Sequence, residues 1–118
     1  MEKPSQTLAR MNDEKNLRFR TAFVIEPLHD LSALLKYADR IEFLSSGYEQ
    51  VDGLMTVIGK KLEDFDNNLD VLIPVGRVVA SLVTGIFLSK IASPVTLGIF
   101  RDKDYYFIKL NLNSGNSL

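Results

Sequence analysis

Between residues 19 and 110 the chain alternates between polar/apolar patterns of period two and stripes of helical period. The first run is RFRTAFVI. Phe19, Thr21, Phe23 and Ile25 alternate with Arg20, Ala22 and Val24, and the aromatic and β-branched content predicts a strand. Glu26-Pro27 ends it, because proline offers no N–H to a ladder. In LHDLSALLKYADR, residues Leu28, Leu31, Leu34, Leu35 and Ala38 share one helical face, so a helix is predicted, with Pro27 or Asp30 at its start. RIEFLSSG supports two readings. Ile41 and Phe43 alternating with Arg40 and Glu42 make a strand, the preferred reading; alternatively the helix runs on to Gly47, a natural stop.

EQVDGLMTVIGKKLEDF carries the clearest helical stripe, through Val51, Leu54, Met55, Ile58 and Leu62. DFDNNLD is a turn-rich loop, since Asn and Asp bond their own backbone. Residues 71–75 form an unbroken apolar run, the mark of a strand buried on both faces. Gly76 follows, then a third helix from Arg77 to about residue 91. Val78, Val79, Leu82, Val83, Ile86 and Phe87 make its broad apolar face, and the small residues Ala80, Ser81, Thr84 and Gly85 make another. After Ser93-Pro94, VTLGIF and YYFIKLNL joined by RDKD read as an antiparallel hairpin. In its second run Tyr106, Ile108 and Leu110 share one face; Tyr105, Phe107 and Lys109 share the other.

The predicted order is β-α-β-α-β-α-β-β. That is an α/β sandwich of two or three layers, with a largely parallel sheet and a C-terminal antiparallel hairpin. With residues 40–46 helical, the class becomes α+β with fewer strands. The expected core runs through Phe23, Ile25, Leu31, Leu34, Val51, Leu54, Ile58, Leu62, Leu72, Ile73, Val79, Leu82, Val83, Phe87, Ile99 and Ile108. A chain of 118 residues fits one domain, here residues 18–112, with polar, aperiodic tails at 1–17 and 113–118.

Composition narrows the partners. Fourteen basic and fifteen acidic residues give a net charge of −1, which argues against a strong field for nucleic acid or anionic membrane. Arg101, Lys103 and Lys109 interleaved with Tyr105, Tyr106 and Phe107 hint at a base-stacking platform, but any amphipathic hairpin has that composition. The uncharged run at 78–89 is far short of the roughly 20 residues a membrane span needs, and the first twenty residues hold no apolar run. A cytoplasmic protein is therefore expected. The absence of cysteine excludes a disulfide framework, a thiolate metal site and a cysteine nucleophile. The lone His29 excludes a multi-histidine metal site. Neither phosphate-binding glycine motif is present, nor a nucleophile elbow. Glu63, Asp64, Asp66 and Asp70 crowd one loop and offer oxygens to Mg²⁺ or Ca²⁺, but at no EF-hand spacing, so no cofactor is expected.

The chemistry concentrates at IPVGR. A strand running through Gly76 into a helix aims backbone N–H groups and a positive dipole end at the sheet's carboxyl edge, where open α/β sheets bind ligands. Arg77 adds a fork of donors suited to phosphate or carboxylate. A cation there is otherwise disfavoured by some tenths of a kcal/mol, at roughly 0.3–1, so it needs a partner. The candidates are an anionic ligand, a second chain, or an internal carboxylate such as Asp70, Asp66 or Glu49. Ser46, Gly47 and Tyr48 join the same edge if the strands are parallel. Two functions follow. The first is a non-enzymatic binding or assembly module, a homodimer seated on the hairpin at Tyr105 and Phe107 or on the small-residue side of the third helix at Ser81 and Gly85. The alternative is a small ligand-binding domain or enzyme that handles an anionic, phosphate- or carboxylate-bearing compound at Gly76, Arg77, Ser46, Gly47 and Tyr48.

Overall fold

The computed structural model describes residues 17–28, 30–90 and 94–111. Strands β1 (Phe19–Val24), β2 (Ala38–Phe43), β3 (Val71–Ile73), β4 (Val95–Arg101) and β5 (Asp104–Leu110) form one sheet in the order β2-β1-β3-β4-β5. The first four strands in that order run parallel, and β5 returns antiparallel to β4. Helices α1 (Val51–Leu62) and α2 (Val78–Leu88) cover one face, and a 3₁₀ turn at Ser32–Lys36 covers part of the other. The expected α/β class and the C-terminal hairpin are both present. Residues 40–46 give strand β2 and the turn after it, so the α+β alternative falls.

Three expectations need correction. The helix predicted over LHDLSALLKYADR is only the five-residue 3₁₀ turn. Tyr37 already takes part in strand pairing, its carbonyl accepting from the Phe19 amide at 2.6 Å, and β2 begins at Ala38. Too few residues remain after Pro27 for a full helix. Leu31 and Leu34 are buried, whereas Leu28 and Leu35 from the same apparent stripe are exposed.

The second correction concerns α2. Its packed side mixes sizes: Ala80 and Thr84 are buried with Val83 and Leu88, and Val79 and Phe87 pack against the same cluster, while Ser81 and Gly85 are only half-buried. Of the predicted apolar face, Val79, Val83 and Phe87 turn inward, and Val78, Leu82 and Ile86 form the open side, 77%, 64% and 50% exposed. Leu82 is therefore not a core residue, and neither is Val51, exposed at the first position of α1.

The third correction is the hairpin. Tyr105 and Phe107 share a face as predicted, but that face is the interior one. Phe107 lies opposite Gly98 across the ladder, in edge contact with Tyr37 and tilted against Phe19 at centroid distances of 5.0 and 5.1 Å. A side chain at position 98 would collide with Phe107 and Ile73. Tyr106, Ile99 and Ile108, on the other face, are half-buried. The connection is tighter than RDKD suggests: only Asp102 and Lys103 turn, both with positive φ (54° and 70°), as a two-residue primed turn requires.

Two apolar clusters flank the sheet. Phe23, Ile25, Leu44, Leu72 and Val95 pack under Leu54, Ile58 and Leu62 of α1 and Ala80, Val83 and Leu88 of α2. Ala22, Val24, Val71, Ile73 and Phe107 pack under Leu31 and Leu34 on the far side. Leu17, placed in the tail by the sequence pattern, packs against that second cluster. The rest of the expected tails, and His29, lie outside the described residues.

Candidate functional site

β1 pairs with β2 on one side and β3 on the other, so chain direction across the sheet reverses at β1. In a doubly wound sheet the crevice beyond such a switch point, at the strands' carboxyl ends, is the usual place for a ligand. Here that place is filled by side chains of the chain itself.

Glu26, just past β1, is fully buried. Its Oε1 accepts from the Arg77 backbone N–H at 2.8 Å and from Arg77 Nε at 3.0 Å. Its Oε2 accepts from Arg77 Nη2 at 2.6 Å and from the Ser45 hydroxyl at 2.6 Å. Arg77 Nη1 continues to the carbonyl of Glu49 at 3.0 Å. Side-chain bonds from Arg77 hold the Glu26 carboxyl down to about 2, against the opposing effect of burial, with Ser45 and the Arg77 amide adding to the same direction. The arginine in turn is raised, chiefly by its bonds to Glu26. Arg77 thus has its anion: a carboxylate delivered by β1 to the N-cap residue of α2. Helix α2 has no side-chain cap of its own and no acidic residue in its first turn, so Glu26 supplies the negative charge that end favours.

Gly76 permits the approach. A Cβ there would come within 2.9 Å of Ile25 Cγ2 and 3.3 Å of Glu26 Cβ, so any side chain would push the loop after β3 off the end of β1. Ser45 is set by strand geometry, its amide donating to the Ile25 carbonyl at 3.0 Å in continuation of the β1–β2 ladder.

The remaining residues predicted for this edge do reach it. The Ser46 amide donates to Glu49 Oε1 at 2.9 Å, and the Tyr48 amide to Ser46 Oγ at 3.2 Å, closing a turn over Gly47, whose φ is +94°. The Ser46 amide pulls the Glu49 carboxyl below its ordinary range. The Tyr48 ring is almost wholly exposed. A cleft of about 390 Å³ opens beside this turn, lined by residues including Pro27, Phe43, Ser45, Glu49 and Lys61.

Of the internal partners that the sequence proposed for Arg77, Glu49 lies beside it, its carbonyl accepting from Nη1 and its charge acting on the same end, whereas Asp66 and Asp70 are placed elsewhere. Asp70 precedes β3 and Arg77 follows it, so the strand separates them. Asp70 is buried at the amino edge, bound to Arg20 at 3.0 and 2.7 Å and to the Asp66 amide at 2.8 Å. Among the described residues no group of three or more His, Asp or Glu side chains is arranged to hold a metal. Two of the hairpin's three consecutive rings are interior, and the third, Tyr106, stacks under Arg101 at 5.6 Å.

Glu26 and Ser45 are the residues that sequence reasoning missed. The available signal was an acidic residue directly after the apolar run of residues 22–25 and immediately before Pro27. The comparisons add no relative: no protein-family model, no curated protein and no solved structure matches the chain significantly.

Proposed function

We propose that the protein is a non-enzymatic binding or assembly module that associates with copies of itself. One observation carries this reading. The outer surface of α2 presents Val78, Leu82 and Ile86, one turn apart, and no charge interrupts the helix between Arg77 and Lys90. On α1, Val51 and Met55 are exposed as well. A contiguous apolar patch of this kind marks an interaction surface, and twofold homodimers are the commonest closed arrangement.

The carboxyl edge supports the same reading by what it no longer offers. The Arg77 amide and guanidinium, the donors an anionic compound would need, are taken by Glu26. A ligand there would have to displace a buried carboxylate held by four donor groups. Among the described residues no helix is long and apolar enough to cross a membrane. A cytoplasmic location is part of the proposal, supported by a sequence without cysteine.

Light scattering at micromolar concentration is the direct test. The expected mass is about twice the 13.3 kDa chain, reduced to the single-chain value by Leu82→Glu. A single-chain mass that persists through a tenfold rise in concentration would refute self-association.

A further inference from the structure

We infer that a second copy docks by laying its helix layer antiparallel across this one, about a twofold axis that crosses both helices near Leu82. The inference rests on the self-association reading and specifies its geometry. Both helices connect parallel strands, so α1 and α2 run side by side in the same direction. Phe87 fixes their relative level: a Cβ at Gly59 would come within 2.7 Å of its ring. Helical side chains lean toward the N-terminus, so Gly59 stands about level with the turn before Phe87. Thr56, three residues earlier, then stands about level with Leu82.

On α1 the outermost row is Asp52, Thr56 and Lys60, at intervals of four residues and all exposed. On α2 it is Val78, Leu82 and Ile86. Both rows are centred on that one level. A twofold axis lying in the interface at that level, perpendicular to the helices, sets Leu82 against Leu82, Val78 against Ile86, and Asp52 against Lys60 of the second copy. Acid meets base at both ends of α1, and the helix dipoles oppose. The other twofold choice, with the axis along the helices, gives parallel pairing. It brings like ends together, or carries the Asp52–Lys60 row onto the apolar row, and like or unmatched charges at an interface act against association. Ser81 and Gly85 flank the leucine, and no atom lies within 4 Å of the position a Gly85 Cβ would take, which leaves low ground for the opposing side chain.

The layer is about 18 Å long and two helices wide, a footprint of roughly 400 Å² per copy. That lies at the weak end of specific interfaces, so dissociation in the micromolar range is expected.

The chain has no cysteine, so single cysteines report on the pairing directly. Leu82→Cys is expected to form a disulfide-linked dimer on mild oxidation. Val78→Cys and Ile86→Cys are each expected to stay unlinked alone, since like positions stand about 12 Å apart along the helices. Mixed together, those two should cross-link, because a disulfide needs Cα atoms within about 7 Å. Asp52→Lys is expected to weaken association at least tenfold, and Lys60→Asp in the same chain to restore it. Far-UV circular dichroism on each variant separates misfolding from loss of contact. Self-linking of Val78→Cys would show parallel pairing and overturn the inference. A dimer by mass with no cross-link at any of the three positions would overturn it while leaving self-association standing, and a monomer throughout would overturn both.

Discussion

At each end of the β1–β3 pair a fully buried carboxylate meets a partly exposed arginine. Glu26 and Arg77 close the carboxyl end, with the arginine side chain 34% exposed; Asp70 and Arg20 close the amino end, where the figure is 43%. In both, one partner belongs to β1 or its continuation and the other to the loops around β3. Because β3 is only three residues long, its backbone ladder is short, and the two pairs hold it from outside. Their construction differs. Glu26 takes donors from a guanidinium, an amide and a hydroxyl, and is bound to the start of a helix. Asp70 takes a guanidinium and the Asp66 amide within its own loop, and Arg20 reaches on to the Asp64 carbonyl at 3.1 Å. The carboxyl-end pair joins three separate segments; the amino-end pair mainly ties down one loop.

If that contrast holds, Arg77→Met should be the most damaging single change at either end. It strips the guanidinium from a fully buried carboxylate, leaving only the residue 77 amide and the Ser45 hydroxyl on it, and should lower stability by about 3–5 kcal/mol in a urea titration. A loss below 1 kcal/mol would mean that Glu26 is not confined as described. Acid should act on the same pair. With a folded pKa of about 2 against an ordinary value of 4.5, Glu26 contributes stability that is complete above pH 4.5 and lost as pH falls toward 2. The contribution is at most about 3 kcal/mol, and the loss should vanish in Arg77→Met. Thermal melts of both proteins between pH 6 and 2 would show it. Arg20→Met should cost less, about 1–2 kcal/mol, because the guanidinium it removes is the more hydrated of the two and ties down one loop rather than three segments. If it cost as much as Arg77→Met, the two ends would be equivalent. Ser45→Ala, which removes the hydroxyl that the amino-end pair lacks, should cost about 1 kcal/mol.

The sequence made Arg77 conspicuous but could not say what answers it. A guanidinium at the start of an apolar helix is an anomaly visible in one dimension. Its partner stands 51 residues away and becomes a neighbour only once β1 is known to lie beside β3. Asp66 and Asp70, the acids closest in sequence, were misleading, since a strand separates its own two ends; Glu49 does lie beside Arg77, but as a secondary contact. Periodicity had a similar limit in the hairpin. It grouped Tyr105 with Phe107 correctly, because alternation follows from the pleat, but which face lies inward depends on what covers the sheet. In α2 the stripe rule drew one broad face of large residues, whereas the sheet takes only its Val79, Val83 and Phe87 side, together with Ala80 and Thr84, and leaves Val78, Leu82 and Ile86 out. The 3₁₀ turn escaped prediction because Leu28 and Leu35 mimic a stripe that the short connection cannot complete.

The order of strands also sets a timetable. β4 and β5 are joined by a two-residue turn and can zip within microseconds. The central β1–β3 pairing must wait for about fifty residues to close into a loop, at an entropic cost of roughly 3–4 kcal/mol before any contact rewards it. The rim of the sheet therefore assembles early, while its middle, where Gly76 must slide against Ile25 and Arg77 must find Glu26, sets the pace. A chain slowed at that step would leave the unpaired sides of β1 and β3 open to other strands for longest, so errors in synthesis or refolding should begin at the centre rather than at the edges.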